Sequence, residues 1–132
     1  MTRAFFDSNV ILYLISGDAD KAARSEALVA EGGVISVQVL NEFTSVALRK
    51  YGLPWSRIRS ALDPIRYACR VENIGLETHD RATLLSERYG YGFYDALILA
   101  AALIAGCTVL YSEDMQDGQV IDGQLTIRNP YL

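Results

Sequence analysis

Four carboxylates stand at points where apolar sequence gives way. Asp7 breaks "FFDSN" between two apolar segments, Glu42 lies in "SVQVLNEF", Asp95 opens the apolar run "GFYDALILAAALIAGC", and Asp114 follows "VLY" in the polar loop "SEDMQDG". Taken alone, each has a plain structural use. Asp7 suits the cap of the helix after it, Asp95 favours the positive end of its own helix, Glu42 fits the margin of an apolar arc beside Val39 and Val46, and Asp114 fits a solvated loop. Gathered in one place without a lysine or histidine, they would repel one another and raise their own pKa values. A hard divalent cation with oxygen ligands is the natural partner of such a set.

Whether they gather depends on the elements that carry them. Residues 3–6 read as a short buried strand, and residues 9–16 as the helix after it, closed by Gly17. Residues 34–36 form a second strand after the Gly32-Gly33 breaker, with Ser36 placed to cap a helix over 37–50. Pro54 takes a first-turn position, and Trp55, Ile58, Leu62 and Ile65 repeat at helical spacing, with Asp63-Pro64 a place for a bend. Residues 71–74 give a weak strand, 77–89 a helix with mixed faces, and 94–105 a helix apolar all round that ends at Gly106. A strand over 108–111 follows. Residues 119–121 and 124–127 flank Asp122-Gly123, a hairpin signal that predicts one or two edge strands.

Short strands alternating with longer helices imply an α/β fold, a parallel sheet with helices on both faces, whose ligands gather at the carboxyl ends of the strands. Asp7 and Asp114 directly follow strands and fall on that edge. Asp95 begins a helix that must end where the next parallel strand starts, so it too points back to the carboxyl edge. Glu42 lies in the second turn of a helix leaving a strand end, roughly 9 Å along its axis. Four acids from four chain segments thus converge on one rim.

Composition narrows what that rim can serve. A chain of 132 residues with 51% apolar and 21% charged residues predicts one folded domain over residues 1–132. No apolar stretch approaches the ~20 residues that cross a bilayer, and Asp7 and Asn9 interrupt the N-terminal segment where an export signal would need a clean apolar run. These features lead us to expect a soluble, cytoplasmic protein that engages no membrane. Cys69 and Cys107 are the only cysteines, without companions at zinc-ligand spacing, and read as reduced thiols in the core. The net charge of −4 opposes nucleic acid as a whole. Even so, Arg49, Lys50, Arg57, Arg59, Arg66 and Arg70 stand against only Asp63, either a solvated helix surface or a phosphate-facing patch. The single histidine, His79, lies in a polar helix turn and reads as a surface residue.

"FFDSNVILYL", "SVQVLNEF", "GFYDALILAAALIAGC" and "VLYSEDM", in this order and spacing, resemble the PIN-domain nucleases nearly end to end, in particular the VapC-type toxins of bacterial toxin-antitoxin pairs. The resemblance implies a PIN-like three-layer α/β/α sandwich around a central, mostly parallel sheet. It also implies that Asp7, Glu42, Asp95 and Asp114 are the catalytic acids of a pocket that binds Mg²⁺ or Mn²⁺. Ser8 stands where the family often has threonine and keeps a hydroxyl; Asn9 matches a position that supports the first Asp, and Ser112 one that orients the last loop. Glu113 and Asp117 are further acids nearby, so the choice of Asp114 or Asp117 as fourth acid stays open, as does one metal ion or two.

By the same resemblance the activity is metal-dependent endoribonuclease cleavage of RNA leaving a 5′-phosphate and a 3′-hydroxyl, restrained by a small antitoxin protein that binds a toxin homodimer. Two other classes compete with it. "FFDSN" superficially resembles phosphatases whose nucleophilic Asp is followed two residues later by a second Asp, but Asn9 holds that place and cannot serve as an acid. The other is a non-catalytic module that keeps the fold to bind RNA or protein; four intact acids speak against it.

Overall fold

The first strand, β1, spans only Ala4–Phe6 because the apolar run stops at Asp7, yet it occupies the middle of a six-stranded sheet. The computed structural model describes residues 3–132. The remaining strands are β2 (Gly33–Ser36), β3 (Cys69–Glu72), β4 (Val109–Tyr111), β5 (Val120–Ile121) and β6 (Leu125–Arg128), in the spatial order β3-β2-β1-β4-β6-β5. All neighbours pair in parallel except β5 and β6. The helices are α1 (Ser8–Leu12), which tightens into a 3₁₀ turn at Tyr13–Ile15, α2 (Ala19–Ala30), α3 (Val37–Arg49), α4 (Trp55–Ala68), α5 (Leu76–Tyr89) and α6 (Phe93–Ile104).

The chain steps outward from β1 through β2 to β3, then returns through α5 and α6 to β4 on the far side of β1. With right-handed crossovers, this reversal puts α1 to α4 on one face and the α5-α6 pair on the other. The architecture is the expected three-layer α/β/α sandwich. Its switch point lies between the carboxyl ends of β1 and β4, where open sheets of this kind leave a crevice. The Asp7 amide donates to the Tyr111 carbonyl at 3.0 Å, so the ladder runs unbroken to the acid's own backbone.

Local sequence explains the supports. Ser36 closes β2 and caps α3, its hydroxyl accepting from the Val39 amide. Val39, Phe43 and Ala47, spaced four apart, are fully buried, which turns the neighbouring Glu42 toward the margin. In α6 every residue from Ala96 to Leu103 is buried, as an all-apolar helix requires. It ends where Gly106 takes φ +77° and the Gly106 and Cys107 amides close on the Leu103 and Ala102 carbonyls.

Several boundaries differ from those read in sequence. Helix α2 was not foreseen: its sequence is mostly alanine and charged residues, and Ser25, Leu28 and Val29 form its buried face. Helix α1 begins at Ser8, directly on its Asp7 cap. Pro54 is the extended residue before α4 rather than part of its first turn, and α4 continues as one helix through Pro64. Strand β3 begins at Cys69, two residues early, because α4 runs straight into it. Of the hairpin strands only β5 is an edge, since β6 pairs with β4.

Candidate active site

Asp7 is the most constrained of the acids. It caps α1 and is only 6% exposed; one carboxylate oxygen accepts from the Ser8 amide at 2.7 Å and the other from the Ser112 hydroxyl at 2.7 Å. Burial pushes its carboxyl up to about 6, against the pull of those two hydrogen bonds and with further push from the charges of Asp95 and Glu42. Asp95, in the first turn of α6, is likewise raised, by burial first and then by Asp114 and Glu42. The structure therefore brings Asp95 and Glu42 within electrostatic reach of Asp7, and Glu42 and Asp114 within reach of Asp95, at the switch point.

The supporting contacts are specific. Gln38 Nε2 donates to Glu42 Oε1 at 2.8 Å and to the Tyr94 carbonyl at 3.2 Å, tying α3 to the start of α6. Asn9 Nδ2 donates to Asp114 Oδ2 at 3.1 Å. Asn9 thus contacts the last acid, and the first is supported by Ser112, whose hydroxyl also accepts from the Met115 amide and turns the loop. The Ser8 hydroxyl and Asn9 Oδ1 are buried without a partner. Asp117 is directed elsewhere, Oδ1 accepting from the Asn129 amide at 2.8 Å. Glu113 is occupied as well: Lys21 Nζ and the Tyr13 hydroxyl each lie 2.5 Å from its carboxylate. Burial works against that charge, but the two bonds hold Glu113 below the usual carboxylate range.

Sequence reading missed Gln38, Lys21 and Tyr13. The first had a signal, an amide four residues before an acid on one helix face; the others depend on the docking of α2, which no local pattern announces.

Among the described residues no lysine, arginine or histidine makes a salt bridge to Asp7, Glu42, Asp95 or Asp114. The donor set is all oxygen and lacks an internal counter-charge, which fits a hard divalent ion. As the side chains stand, no three described carboxylate, thiol or imidazole groups are close enough to share one ion. Asp114 is exposed and accepts from Asn9, and Asp95, partly exposed, has no side-chain hydrogen bond.

Other candidates lie apart from this arrangement. His79 is exposed and meets Asp80 and the edge of Phe93. Arg57, Arg59 and Arg66 are exposed and unpaired among the described residues, whereas Arg70 pairs with Glu72. Both cysteines are buried and free. No described helix is long and apolar enough to cross a membrane.

A family model described as PIN domain matches residues 4–116. Among solved structures, a toxin-antitoxin complex from Klebsiella pneumoniae is 28% identical, with a TM-score of 0.73 over 97% of this chain and 98% of that one. VapC20 of Mycobacterium tuberculosis, a sarcin-ricin loop cleaving toxin, is 24% identical with a TM-score of 0.68 over 84% of this chain and 89% of that one. VapBC2 from Rickettsia felis, bound to a DNA fragment from its promoter, is 20% identical with a TM-score of 0.69 over 97% of this chain and 100% of that one. No curated protein gives a significant match.

Proposed function

The chain belongs to the PIN-domain family, and from that premise we propose that it is a divalent-metal-dependent endoribonuclease, the toxin of a toxin-antitoxin pair. One observation carries the reading: Asp7 and Asp95 are pushed up first by burial and then by neighbouring carboxylates, Asp95 and Glu42 for the one and Asp114 and Glu42 for the other, with no salt bridge to balance them among the described residues. Such an arrangement costs stability unless a cation from solution completes it. The resident ion is taken as Mg²⁺ or Mn²⁺, held by Asp7, Glu42, Asp95 and Asp114. When bound, it lowers the pKa of water and neutralises charge developing on a phosphodiester.

The protein's own groups then have separable tasks. Asp7, clamped by the Ser8 amide and Ser112, is the fixed anchor. Gln38 holds Glu42 in place, and Asn9 steers Asp114. Asp95 supplies the charge that turns inward from α6. Among the described residues no histidine or lysine bonds to Asp7, Glu42, Asp95 or Asp114, so hydrolysis with a 5′-phosphate product fits this inventory better than metal-free attack by the 2′-hydroxyl.

In the cell, a small antitoxin would restrain this nuclease, a partner that the likeness to a toxin-antitoxin complex from Klebsiella pneumoniae supports; the cytoplasmic location and the homodimer are carried by the family resemblance alone. An arginine from the antitoxin suits the acid cluster because its planar fork engages carboxylates bidentately. The test is induction of the wild type and of Asp7→Asn at matched levels, with growth recorded and RNA ends sequenced after a short pulse. We expect arrest and new 5′-phosphate ends with the wild type alone, and rescue on co-expression of the neighbouring small gene. Equal toxicity of Asp7→Asn would move a non-catalytic binding role ahead.

A further inference from the structure

The arginines of α4 differ from most basic side chains of this protein, which are held by a partner. Lys21, Arg70, Arg81 and Arg88 pair with carboxylates, and Arg3 and Arg24 donate to backbone carbonyls. Arg57, Arg59 and Arg66 are exposed and have no ion pair among the described residues. Asp63 stands four residues after Arg59 and three before Arg66, the spacings at which ion pairs form along a helix, yet it pairs with neither. Trp55, the first residue of the same helix, is 56% exposed.

Helix geometry sorts these side chains. At 3.6 residues per turn, Trp55, Arg59 and Arg66 fall within about 40° of one another, a stripe about 16 Å long. Buried Ile58 and Ile65 lie about a quarter turn round the helix. Arg57 is on the opposite side, lining a cleft with Ile15, Tyr51 and Ser60. Because α4 runs directly into the first residue of β3, a strand parallel to β2, its far end points toward the carboxyl edge. Trp55 therefore heads the stripe on the side of the acids.

We propose that this face of α4 is a track for single-stranded RNA, in which Arg59 and Arg66 take separate backbone phosphates and Trp55 stacks on an unpaired base. The choice of RNA as the polyanion rests on the nuclease reading above. The rim itself is carboxylate and the chain carries a net charge of −4, so a polyanion brought to the rim needs cations elsewhere to hold it. Guanidinium groups suit the phosphates because their planar forks engage two oxygens at once. An acidic peptide would satisfy the arginines alone. RNA joins a phosphate to a flat base in every unit, and the stripe joins guanidinium groups to an aromatic plane.

Two measurements on the full chain in EDTA test this. Trp55 is the only tryptophan, so tryptophan fluorescence reports on this face alone. A single-stranded RNA of mixed sequence should quench it, and poly-glutamate at the same concentration of charge should not. In the second measurement, anisotropy of the same RNA, end-labelled, gives affinity as a function of salt. Arg59→Gln and Arg66→Gln should each make the slope of log affinity against log salt shallower by about 0.7, whereas Arg57→Gln should leave it unchanged. Trp55→Ala should lower affinity roughly five- to a hundredfold with the slope kept. An unquenched Trp55, or equal quenching by poly-glutamate, would overturn the track, the latter in favour of an acidic protein. An equal slope change in Arg57→Gln would also overturn it, reducing the effect to net charge. The expected slope and quenching from a protein that cleaves no RNA would sustain the track and remove the nuclease reading. Metal-dependent cleavage by a protein whose RNA binding ignores these substitutions would do the reverse.

Discussion

Replacing Asp7 by asparagine should make the metal-free protein more stable above pH 6, although the same change removes the anchor of the site. The Asp7 carboxyl is raised from 3.8 to about 6, chiefly by burial. At about 1.4 kcal/mol per pH unit, that corresponds to about 3 kcal/mol. The folded state holds this proton more tightly than the unfolded chain, so between pH 4 and 6 it binds more protons and stability falls as pH rises. Below pH 4 both states are protonated and the penalty is absent; above pH 6 it is complete. Asparagine keeps the acceptor for the Ser8 amide but places an N–H donor against Ser112, whose hydroxyl already accepts from Met115 and would lose its own acceptor. Losing that hydrogen bond costs about 1 kcal/mol, leaving a net gain of about 2 kcal/mol at pH 8, roughly 4–8 °C in Tm. Urea unfolding of both proteins in EDTA from pH 4 to 8 measures it. The difference between them should grow from pH 4 to 6 and then level off. A difference that stays constant with pH, or a variant less stable at pH 8, would refute the assignment of a destabilising buried charge to Asp7.

Other expectations follow from the same structure. Millimolar Mg²⁺ or Mn²⁺ should raise the thermal midpoint of the wild type, by about 2.7 kcal/mol at a hundred times the dissociation constant, and the Asp7→Asn, Asp95→Asn double variant should lose most of that gain by calorimetry. Gly33→Ala would set a Cβ 2.5 Å from the ring of Phe6, itself 1% exposed; overpacking of about 1–3 kcal/mol should lower the urea midpoint with the slope unchanged. Glu113→Gln removes the charge and one of the two oxygens by which Lys21 and Tyr13 hold the residue beside Asp114, and should raise the metal concentration for half-maximal cleavage while leaving the rate at saturating metal nearly intact.

The rim of acids was legible in the sequence because it follows from three local signals: where apolar runs stop, which residues can cap helices, and the rule that parallel strands share a carboxyl edge. Asp7 after β1 and Asp95 opening an all-apolar helix needed nothing more. Glycine punctuation at Gly32 and Gly106 placed β2 and the end of α6 for the same reason. What could not be read was contact between distant segments. Helix α2 was not read from the sequence, and no local pattern sets Lys21 beside Glu113, 92 residues away. Asn9 was expected to support Asp7, two residues before it, and packing instead directs its amide to Asp114. The different partners of Asp114 and Asp117 were hidden for the same reason, since only the loop's docking gives Asp117 to Asn129.

The central claim is that these carboxylates work together as a metal-dependent RNA-cleaving site, and Asp95→Asn tests it most directly because Asp95 makes no structural hydrogen bond through its side chain. Purified wild type and variant are incubated with end-labelled RNA in Mg²⁺ or in EDTA, and folding is checked by thermal unfolding. The account predicts fragments with 5′-phosphates from the wild type in Mg²⁺ only, and none from a folded Asp95→Asn protein. Cleavage that persists in EDTA, or full activity in the folded variant, would contradict it.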